Sequence, residues 1–290
     1  MSLVGLISTF DPWRSGLCTC PPKLTFNPYT GCDHRCVYCY ASSYVPEFFD
    51  CRPKKNLVSR LEKEAVKLRG GLLCISGSSD PYPNIEAEKR LTRSCLKILS
   101  RHRCRVQIVT KSPLAARDAD VLSSFPSMVS MTITTLDDCV TGLIEPGAAP
   151  GSARLRAVEV LIAKGVPVAV RVDPLIPFVN EQAGDLLRQL SSVGVKHVTC
   201  STLKLKPDAW LRLRAKLPKV AEKLEPLYFE SSVRKAGSYY LSENYRKKLV
   251  ENVKRLASQL SMKFSTCREG LATLNTATCD GSWLIEEQSR

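Results

Sequence analysis

Apolar residues recur along this chain with two alternating periods. Short runs of aliphatic and β-branched residues predict strands at 23–29, 72–75, 105–110, 128–134, 166–172 and 196–200. Between them, apolar residues three or four positions apart predict helices at 57–68, 86–101, 112–123, 153–163 and 181–192. Strands that alternate with helices of roughly 10–15 residues indicate βαβ units and a parallel sheet, so the predicted class is α/β.

The pattern leaves two ways of closing this sheet, a doubly wound open sheet and a complete or partial (β/α) barrel. Polar residues follow most of the predicted strands, at 76–80, 110–112, 134–135, 171–173 and 201. An open sheet concentrates polar groups at one switch point, whereas a barrel mouth collects them from many strand ends. The pattern therefore favours a barrel without deciding between the two.

The alternation divides the chain into three parts. An N-terminal extension, residues 1–22, ends in two cysteines and a double proline, which indicate an extended connector. The alternating core covers residues 23–205. Residues 206–290 form a C-terminal extension with predicted helices at 207–217 and 243–260, followed by a tail that contains two cysteines.

Composition indicates a globular protein with a polyanionic partner. The chain has 290 residues, 44% hydrophobic and 24% charged, which is ample for a core and argues against disorder. Its formal net charge of +14 favours DNA or RNA as a partner, and a basic surface that aids solubility is the alternative. Because the chain has no long apolar run and no basic, apolar leader, we expect no membrane partner and a cytoplasmic location.

The most informative motif is a triad of cysteines, Cys32, Cys36 and Cys39, in a short loop after the first predicted strand. In a reducing compartment, 13 cysteines are metal ligands or buried small hydrophobes rather than a disulfide framework. Three thiolates this close can hold three irons of a [4Fe–4S] cluster and leave the fourth iron open to another ligand. A zinc knuckle that uses His34, or a set of buried free thiols, is the alternative.

Several segments resemble one known family. Residues 27–41, Asn-Pro-Tyr-Thr-Gly-Cys-Asp-His-Arg-Cys-Val-Tyr-Cys-Tyr-Ala, are similar to the cluster loop of radical SAM proteins related to spore photoproduct lyase. Later βα units of that group resemble residues 79–82 with 90–93, 109–112, 133–136 with 145–147, and 171–174. The resemblance implies a partial (β/α)6 barrel of the TIM type with a helical C-terminal extension.

The resemblance also implies a chemistry. The open iron binds S-adenosylmethionine, and a reductant such as ferredoxin or flavodoxin drives its cleavage to a 5′-deoxyadenosyl radical that abstracts hydrogen from a substrate. Nucleic acid is the first substrate hypothesis. A peptide- or protein-modifying radical SAM enzyme with an auxiliary cluster is the second, and a nonenzymatic, zinc-stabilised nucleic-acid-binding protein is a third hypothesis from another class.

Candidate site residues follow from the resemblance position by position. Cys32, Cys36 and Cys39 match the cluster ligands, and Tyr40 resembles a tyrosine of the photoproduct lyase radical relay. A further set of residues resembles family positions that lie near the adenine, ribose or carboxylate of the cofactor: Tyr38, Ser79, Asp80, Lys111, Thr134 and Arg171. Loop packing is the alternative for the two tyrosines, and an ion pair with Asp173 is the alternative for Arg171.

One position departs from the family pattern. Photoproduct lyase has a cysteine hydrogen donor near the end of its second strand, and Gly77 stands at the matching position here. Cys74 lies three residues earlier, on the predicted strand, where we expect it in the core. The departure predicts a relative with a different substrate.

Two further groups of residues are candidates. Cys18, Cys20, Cys267 and Cys279 form a second constellation that can hold an auxiliary iron–sulfur cluster or a zinc ion between the chain termini; incidental thiols are the alternative. Basic residues enrich the C-terminal third beside tyrosines that can stack on bases, with a solvated helix face as the alternative. They include Arg246, Lys247 and Lys248, with Tyr239, Tyr240 and Tyr245.

Overall fold

The computed structural model describes residues 5–10, 16–68, 70–102 and 104–288. The strands are β1 Ser8–Thr9, β2 Leu24–Phe26, β3 Tyr29–Thr30, β4 Arg52–Pro53, β5 Leu72–Ile75, β6 Arg105–Thr110, β7 Ser127–Thr132, β8 Val168–Leu175, β9 His197–Thr202, β10 Val233–Lys235, β11 Ser238–Tyr240 and β12 Lys263–Thr266. The helices are α1 Leu57–Ala65, α2 Glu86–Lys89, α3 Leu91–Leu99, α4 Ala119–Leu122, α5 Asp138–Ile144, α6 Gly151–Ala163, α7 Gly184–Ser192, α8 Pro207–Lys216, α9 Pro218–Phe229, α10 Glu243–Gln259 and α11 Trp283–Gln288.

One eight-stranded sheet organises the chain. Its order is β1-β2-β5-β6-β7-β8-β9-β12, parallel from β2 to β12 with β1 added antiparallel at one edge. The two end strands, β1 and β12, do not pair with each other within the described residues, so the sheet stays open. The α/β class and the partial barrel are confirmed, and all six predicted strands are present.

The two faces of the sheet have different compositions, because side chains alternate along each strand. The outer face is apolar and packs against the helices, with residues such as Leu73, Val106 and Val129 in the main core. Beyond the first residues of the strands, the inner face carries polar or small side chains such as Gln107, Ser130 and Arg171. The alternation therefore leaves polar groups on the inner face, where a site can form.

Two differences from the predicted pattern concern a strand and a helix. The strand β12 was not predicted, since it is only four residues long and mostly polar, and it forms because it pairs with the edge of β9. The predicted helix at 86–101 is broken at Arg90, which has a φ of 49°. Beyond the break, the carboxylate of Glu86 accepts the backbone N–H of Thr92 at 2.9 Å, which caps the first turn of α3.

The C-terminal tail fills the inner face at the start of the strands. Leu284 and Ile285 form a small cluster with inward residues of three strands, Leu72, Met128 and Ala169. Asp280 forms a buried ion pair at 2.6 Å with Lys23, 257 positions earlier in the chain. We call residues 279–285 the plug. The division into three parts at residues 22 and 205 remains a prediction, but both outer parts add a strand to the central sheet.

Among the described helices, none is both long enough and apolar enough to cross a membrane.

Candidate active site

The carboxyl ends of the strands surround a cavity of about 780 Å³. Cys32, Cys36 and Cys39 line it from the loop after β3. Inward side chains that follow or end the parallel strands line the opposite walls, among them Ser76, Lys111, Arg171, Ser201 and Cys267. Sequence positions that the polar pattern placed at a barrel mouth therefore meet in one space.

Tight backbone packing shapes the cysteine loop. Gly31 precedes the first cysteine with a φ of 78°, and a Cβ there would lie 2.5 Å from the carbonyl oxygen of Phe48. Only glycine tolerates both the conformation and this approach. On the other side, the backbone N–H of Gly147 donates to the carbonyl of His34 at 2.9 Å, and a Cβ at residue 147 would meet Asp33. The loop is thus fixed against two neighbouring segments.

Helix α8 of the C-terminal extension holds the same loop through one guanidinium. Arg212 donates to the carbonyl of Cys39 at 2.7 Å and to that of Val37 at 3.3 Å. Asp208 pairs with Arg212 at 2.9 Å and accepts the hydroxyl of Ser42 at 2.6 Å, and these contacts lower the pKa of Asp208 to about 2 although burial raises it. We call Arg212 and Asp208 the clamp; sequence analysis did not find it, since no motif marks it.

Within the described residues, the sulfurs of Cys32, Cys36 and Cys39 do not all lie within 4.8 Å of one another. Sulfurs that share a tetrahedral zinc at about 2.3 Å lie roughly 3.8 Å apart. In the described residues, the group of three potential ligand atoms within 4.8 Å of one another belongs to Cys32, Asp33 and His34, without Cys36 or Cys39. Burial raises the pKa of Cys36 to about 12, against the lowering effect of Lys111, so metal binding must displace its proton.

A buried carboxylate organises the wall beside Cys36. Glu145 pairs with Arg154 at 2.5 Å, accepts the hydroxyl of Tyr38, and accepts that of Thr134 at 3.1 Å. Burial raises the pKa of Glu145, but Arg154 and Lys111 outweigh it and the pKa is lowered. Burial lowers the pKa of Lys111, yet Glu145 and Cys36 raise it above its ordinary value. The wall therefore presents the ammonium group of Lys111 to the cavity.

Asp80 joins the ends of two strands. One carboxylate oxygen accepts the hydroxyl of Thr110 at 2.6 Å and the backbone N–H of Tyr82 at 2.9 Å. The other accepts the backbone N–H of Lys111 at 2.8 Å and lies 3.5 Å from Nδ1 of His34. Asp80 therefore positions Lys111 and the cysteine loop relative to each other, even though it also lines the cavity.

The fifth and sixth parallel strands contribute a second polar wall. Arg171 pairs with Asp173 at 2.5 Å and also contacts the thiol of Cys267. Burial raises the pKa of Asp173, but Arg171 and Lys204 lower it to about 2. The ion-pair alternative for Arg171 is thus present in the structure, and the same side chain still lines the cavity.

The other sequence candidates lie at different depths. Tyr38 and Ser79 line the cavity, and Tyr40 is 36% exposed at its rim, where its ring stacks on that of Tyr44 with centroids 6.3 Å apart. Thr134 is not among the lining residues, since its hydroxyl is directed to Glu145. The structure therefore brings together all the candidates near the cysteine loop except Thr134.

A sequence comparison decides the family. The profile of the radical SAM superfamily matches residues 26–213. The chain belongs to the radical SAM superfamily. This membership identifies it as an enzyme and implies S-adenosylmethionine and a [4Fe–4S] cluster as its cofactors, which excludes the nonenzymatic hypothesis. The matched segment contains the cysteine loop, most of the residues that line the cavity and most of α8.

Relatives occur in archaea, bacteria and a virus. An uncharacterised protein of Methanocaldococcus jannaschii is 31% identical over 163 residues, which are 53% of this chain and 61% of that protein. An uncharacterised protein of Mycobacterium tuberculosis is 26% identical over 262 residues, 82% of this chain and 75% of the relative. An uncharacterised protein of Acidianus two-tailed virus is 28% identical over 195 residues, which are 58% of this chain and 63% of that protein.

Solved radical SAM structures share the fold. A spore photoproduct lyase mutant with bound AdoMet and dinucleoside spore photoproduct aligns with a TM-score of 0.64 at 20% identity, covering 87% of this chain and 79% of the other. The radical S-adenosylmethionine methyltransferase TsrM from Kitasatospora setae aligns with a TM-score of 0.54 at 12% identity, covering 91% and 58%. At these identities, the likeness concerns the fold.

The position that departs from photoproduct lyase lies in the cavity wall of this radical SAM enzyme. The backbone N–H of Gly77 donates to the side chain of Asn27 at 2.8 Å, and a Cβ at residue 77 would lie 3.3 Å from the hydroxyl of Thr25. Cys74 is 1% exposed and belongs to the buried hydrophobic residues, as its strand predicts, and it also lines the cavity.

The second cysteine constellation is assembled only in part. The sulfurs of Cys20 and Cys279 lie 3.1 Å apart, and the thiol of Cys18 is hydrogen bonded to that of Cys20. Cys267 contacts Arg171 instead. The structure therefore gathers three of the four predicted thiols beneath the cavity.

Two predicted base-stacking or phosphate-binding residues are buried. Arg246 is 1% exposed and its guanidinium lies 3.1 Å from the carboxylate of Glu269. Tyr240 is fully buried. These two side chains cannot contact a nucleic acid, whereas Lys247 and Lys248 on the same helix are exposed.

Proposed function

We propose that Cys32, Cys36 and Cys39 hold the [4Fe–4S] cluster of this radical SAM enzyme and that its substrate is a nucleic acid. When bound, the cluster and S-adenosylmethionine supply a 5′-deoxyadenosyl radical that abstracts hydrogen from the substrate. The observation that carries the proposal is that the three cysteines of one loop and the polar strand ends enclose one cavity.

Different residues of the cavity suit different parts of the cofactor. Lys111 forms no ion pair among the described residues, and its Nζ lies 5.6 Å from the centre of the Tyr38 ring. An ammonium group in this position suits the carboxylate of S-adenosylmethionine, and the ring of Tyr38 suits its adenine. Glu145 and Asp80 position these two groups, while Ser79 and Arg171 offer further polar contacts to the cofactor.

The cavity rim supports a nucleic acid as substrate. Tyr40 and Tyr44 present a pair of stacked rings there, and aromatic rings bind unpaired bases by stacking. Lys206 adds positive charge to the same rim and suits a phosphate group. Spore photoproduct lyase, which has this fold, has been solved with a dinucleoside photoproduct. Because Gly77 replaces the hydrogen-donor cysteine of that enzyme, we expect another nucleic-acid modification here, with Tyr40 as the residue that contacts the substrate radical.

Anaerobic reconstitution tests the cofactor part of the proposal. The reconstituted protein should contain iron and sulfide and should release 5′-deoxyadenosine from S-adenosylmethionine on reduction. Lys111→Met should raise the concentration of S-adenosylmethionine needed for half-maximal cleavage by about tenfold, because an ion pair to a carboxylate is lost. Normal half-saturation in Lys111→Met would disprove the assigned role of this residue.

Oligonucleotide binding tests the substrate part. Single-stranded DNA and RNA should bind with a strong salt dependence, and Lys206→Gln should weaken binding and reduce the slope against log salt by about 1. Lys248→Gln, on the exposed face of α10, is the matched control and should change neither value. If the control variant loses binding and Lys206→Gln does not, the nucleic acid lies on the C-terminal helix rather than at the cavity.

A further inference from the structure

Three thiols from opposite ends of the chain meet beneath the cavity. Cys18 and Cys20 come from the N-terminal extension, and Cys279 begins the plug. The sulfur of Cys20 lies 3.1 Å from that of Cys279 and is also hydrogen bonded to the thiol of Cys18. Cys20 lines the cavity, Cys279 is buried, and Cys18 is half-buried. The radical SAM cluster does not use these residues, because it takes its ligands from residues 32–39.

The backbone that presents Cys279 is held in place. Its carbonyl oxygen accepts the hydroxyls of Thr199 at 3.1 Å and Ser265 at 2.9 Å. Two residues later, Gly281 has a φ of 77°, and a Cβ there would lie 2.8 Å from that of Ala169. The buried ion pair between Asp280 and Lys23 fixes the same segment to the start of β2. The Cys279 thiol is therefore positioned by contacts that do not involve its sulfur.

The hydrogen bond with Cys20 and burial raise the pKa of the Cys18 thiol, and the contact with Cys279 and burial raise that of Cys20 against the lowering effect of Cys18, but two neighbouring groups act in the opposite direction. The backbone N–H of Cys20 donates to the sulfur of Cys18, and the ammonium group of Lys23 exerts a stabilising electrostatic effect on both thiolates. Such donors and a nearby cation offset the charge of thiolates that bind a metal ion.

We propose that Cys18, Cys20 and Cys279 bind one zinc ion, which links the N-terminal extension to the plug. A disulfide would use only two sulfurs, whereas here the sulfur of Cys20 contacts those of both Cys279 and Cys18. Thiolates prefer soft metal ions such as zinc. The three sulfurs do not all lie within 4.8 Å of one another, so the half-buried Cys18 side chain rotates inward on binding. The ion replaces the three thiol protons, which pass to solvent, and a water completes its coordination.

The site differs from the one that the sequence predicted, because it excludes Cys267. It is also independent of the nucleic-acid proposal, since it assigns a bound zinc ion and no substrate. Either proposal can therefore fail while the other stands.

Metal analysis of the holoenzyme tests the site. Protein isolated anaerobically in the presence of zinc should carry one zinc per chain in addition to its iron. Cys20→Ser should lower bound zinc by about tenfold or more and leave iron and sulfide unchanged. Cys267→Ser and Cys139→Ser are the matched controls, since the first residue contacts Arg171 and the second is exposed on α5, and both should retain zinc.

Other outcomes overturn the proposal. If Cys20→Ser removes iron and sulfide instead of zinc, the site holds a cluster. If peptide mapping of the untreated protein under non-reducing conditions finds Cys20 joined to Cys279, the site is a disulfide. Cys18→Ala keeps the test valid if Cys20→Ser does not fold, because Cys18 is half-buried and lies outside the helices and strands. Unchanged zinc affinity in that variant also refutes the site.

Discussion

The cysteine loop and the plug occupy opposite ends of one sheet and are built in opposite ways. The loop draws all three candidate ligands from residues 32–39 and lies over the carboxyl ends of the strands. The plug fills the space where the strands start, and its buried ion pair joins residues 257 positions apart. A local motif thus provides the chemistry, while a long-range assembly closes the space beneath it.

The two regions also differ in the kind of contact that stabilises them. Backbone carbonyls of the loop accept hydrogen bonds from a guanidinium that belongs to another part of the chain. The plug is stabilised by apolar packing, by the Lys23–Asp280 pair and by a hydrogen bond from Trp283 to His197 at 3.0 Å. We therefore expect loop variants to change cofactor retention and plug variants to change the stability of the fold.

The largest effect should come from the loop itself. Cys36→Ala removes one of three ligands and should abolish both the cluster and the cleavage of S-adenosylmethionine, as measured by iron content and 5′-deoxyadenosine. Cys104→Ala, at a buried cysteine away from the cavity, should retain both. Full cleavage activity in Cys36→Ala would refute the assignment of the loop.

The next largest effect should come from the plug. Asp280→Leu leaves the ammonium group of Lys23 buried without its partner and should lower the free energy of unfolding by about 3–5 kcal/mol. Urea unfolding measures this loss, and the double variant Lys23→Met with Asp280→Leu should recover most of it. Lys196 and Glu287 form an exposed pair at 3.6 Å, so Lys196→Ala is a control with an expected cost of about 0–1 kcal/mol.

A smaller effect should come from the clamp. Arg212→Ala frees two carbonyls of the cysteine loop and should speed the loss of iron on chelation by about 10–100-fold, with little change in the unfolding midpoint. Arg212→Lys keeps the positive charge but loses the planar set of guanidinium N–H donors. Its rate of iron loss should therefore lie between those of the wild type and Arg212→Ala. A reduction potential that shifts in Arg212→Ala and returns in Arg212→Lys would separate the effect of charge from that of positioning. If iron loss does not speed up in Arg212→Ala, α8 does not hold the loop.

Within any one pH unit, the smallest effect should be the pH dependence of the plug. Burial lowers the pKa of His197 from 6.5 to about 4, with a smaller lowering from Arg171 and an opposing effect from Asp280. Below pH 6.5, His197 binds a proton in the unfolded chain but not in the folded chain. The free energy of unfolding therefore decreases as the pH falls from 6.5 towards 4. Urea unfolding should show a loss of roughly 1.4 kcal/mol per pH unit from this group, which His197→Gln should remove. An identical pH dependence in wild type and variant would contradict this account.

Sequence analysis predicted the loop far better than the plug. The spacing of Cys32, Cys36 and Cys39 and the resemblance around them located the cavity, because a strand, a turn and three ligands are neighbours along the chain. Sequence analysis also predicted a cluster of four cysteines near the chain termini, but in the structure the thiol of Cys267 contacts Arg171 instead. Nothing in the local pattern indicates that residue 267 directly follows a strand of the central sheet and lines the cavity.

By itself, the sequence determined the parallel α/β alternation, the six central strands and the cysteine loop, since each depends on neighbours within about 15 residues. Only the tertiary structure decided that Lys263–Thr266 joins the sheet, that Arg212 reaches the loop and that Asp280 meets Lys23. Those contacts form where polar and short segments find partners across the folded chain. Their energies depend on burial and on the partner, which a local pattern of residues does not encode.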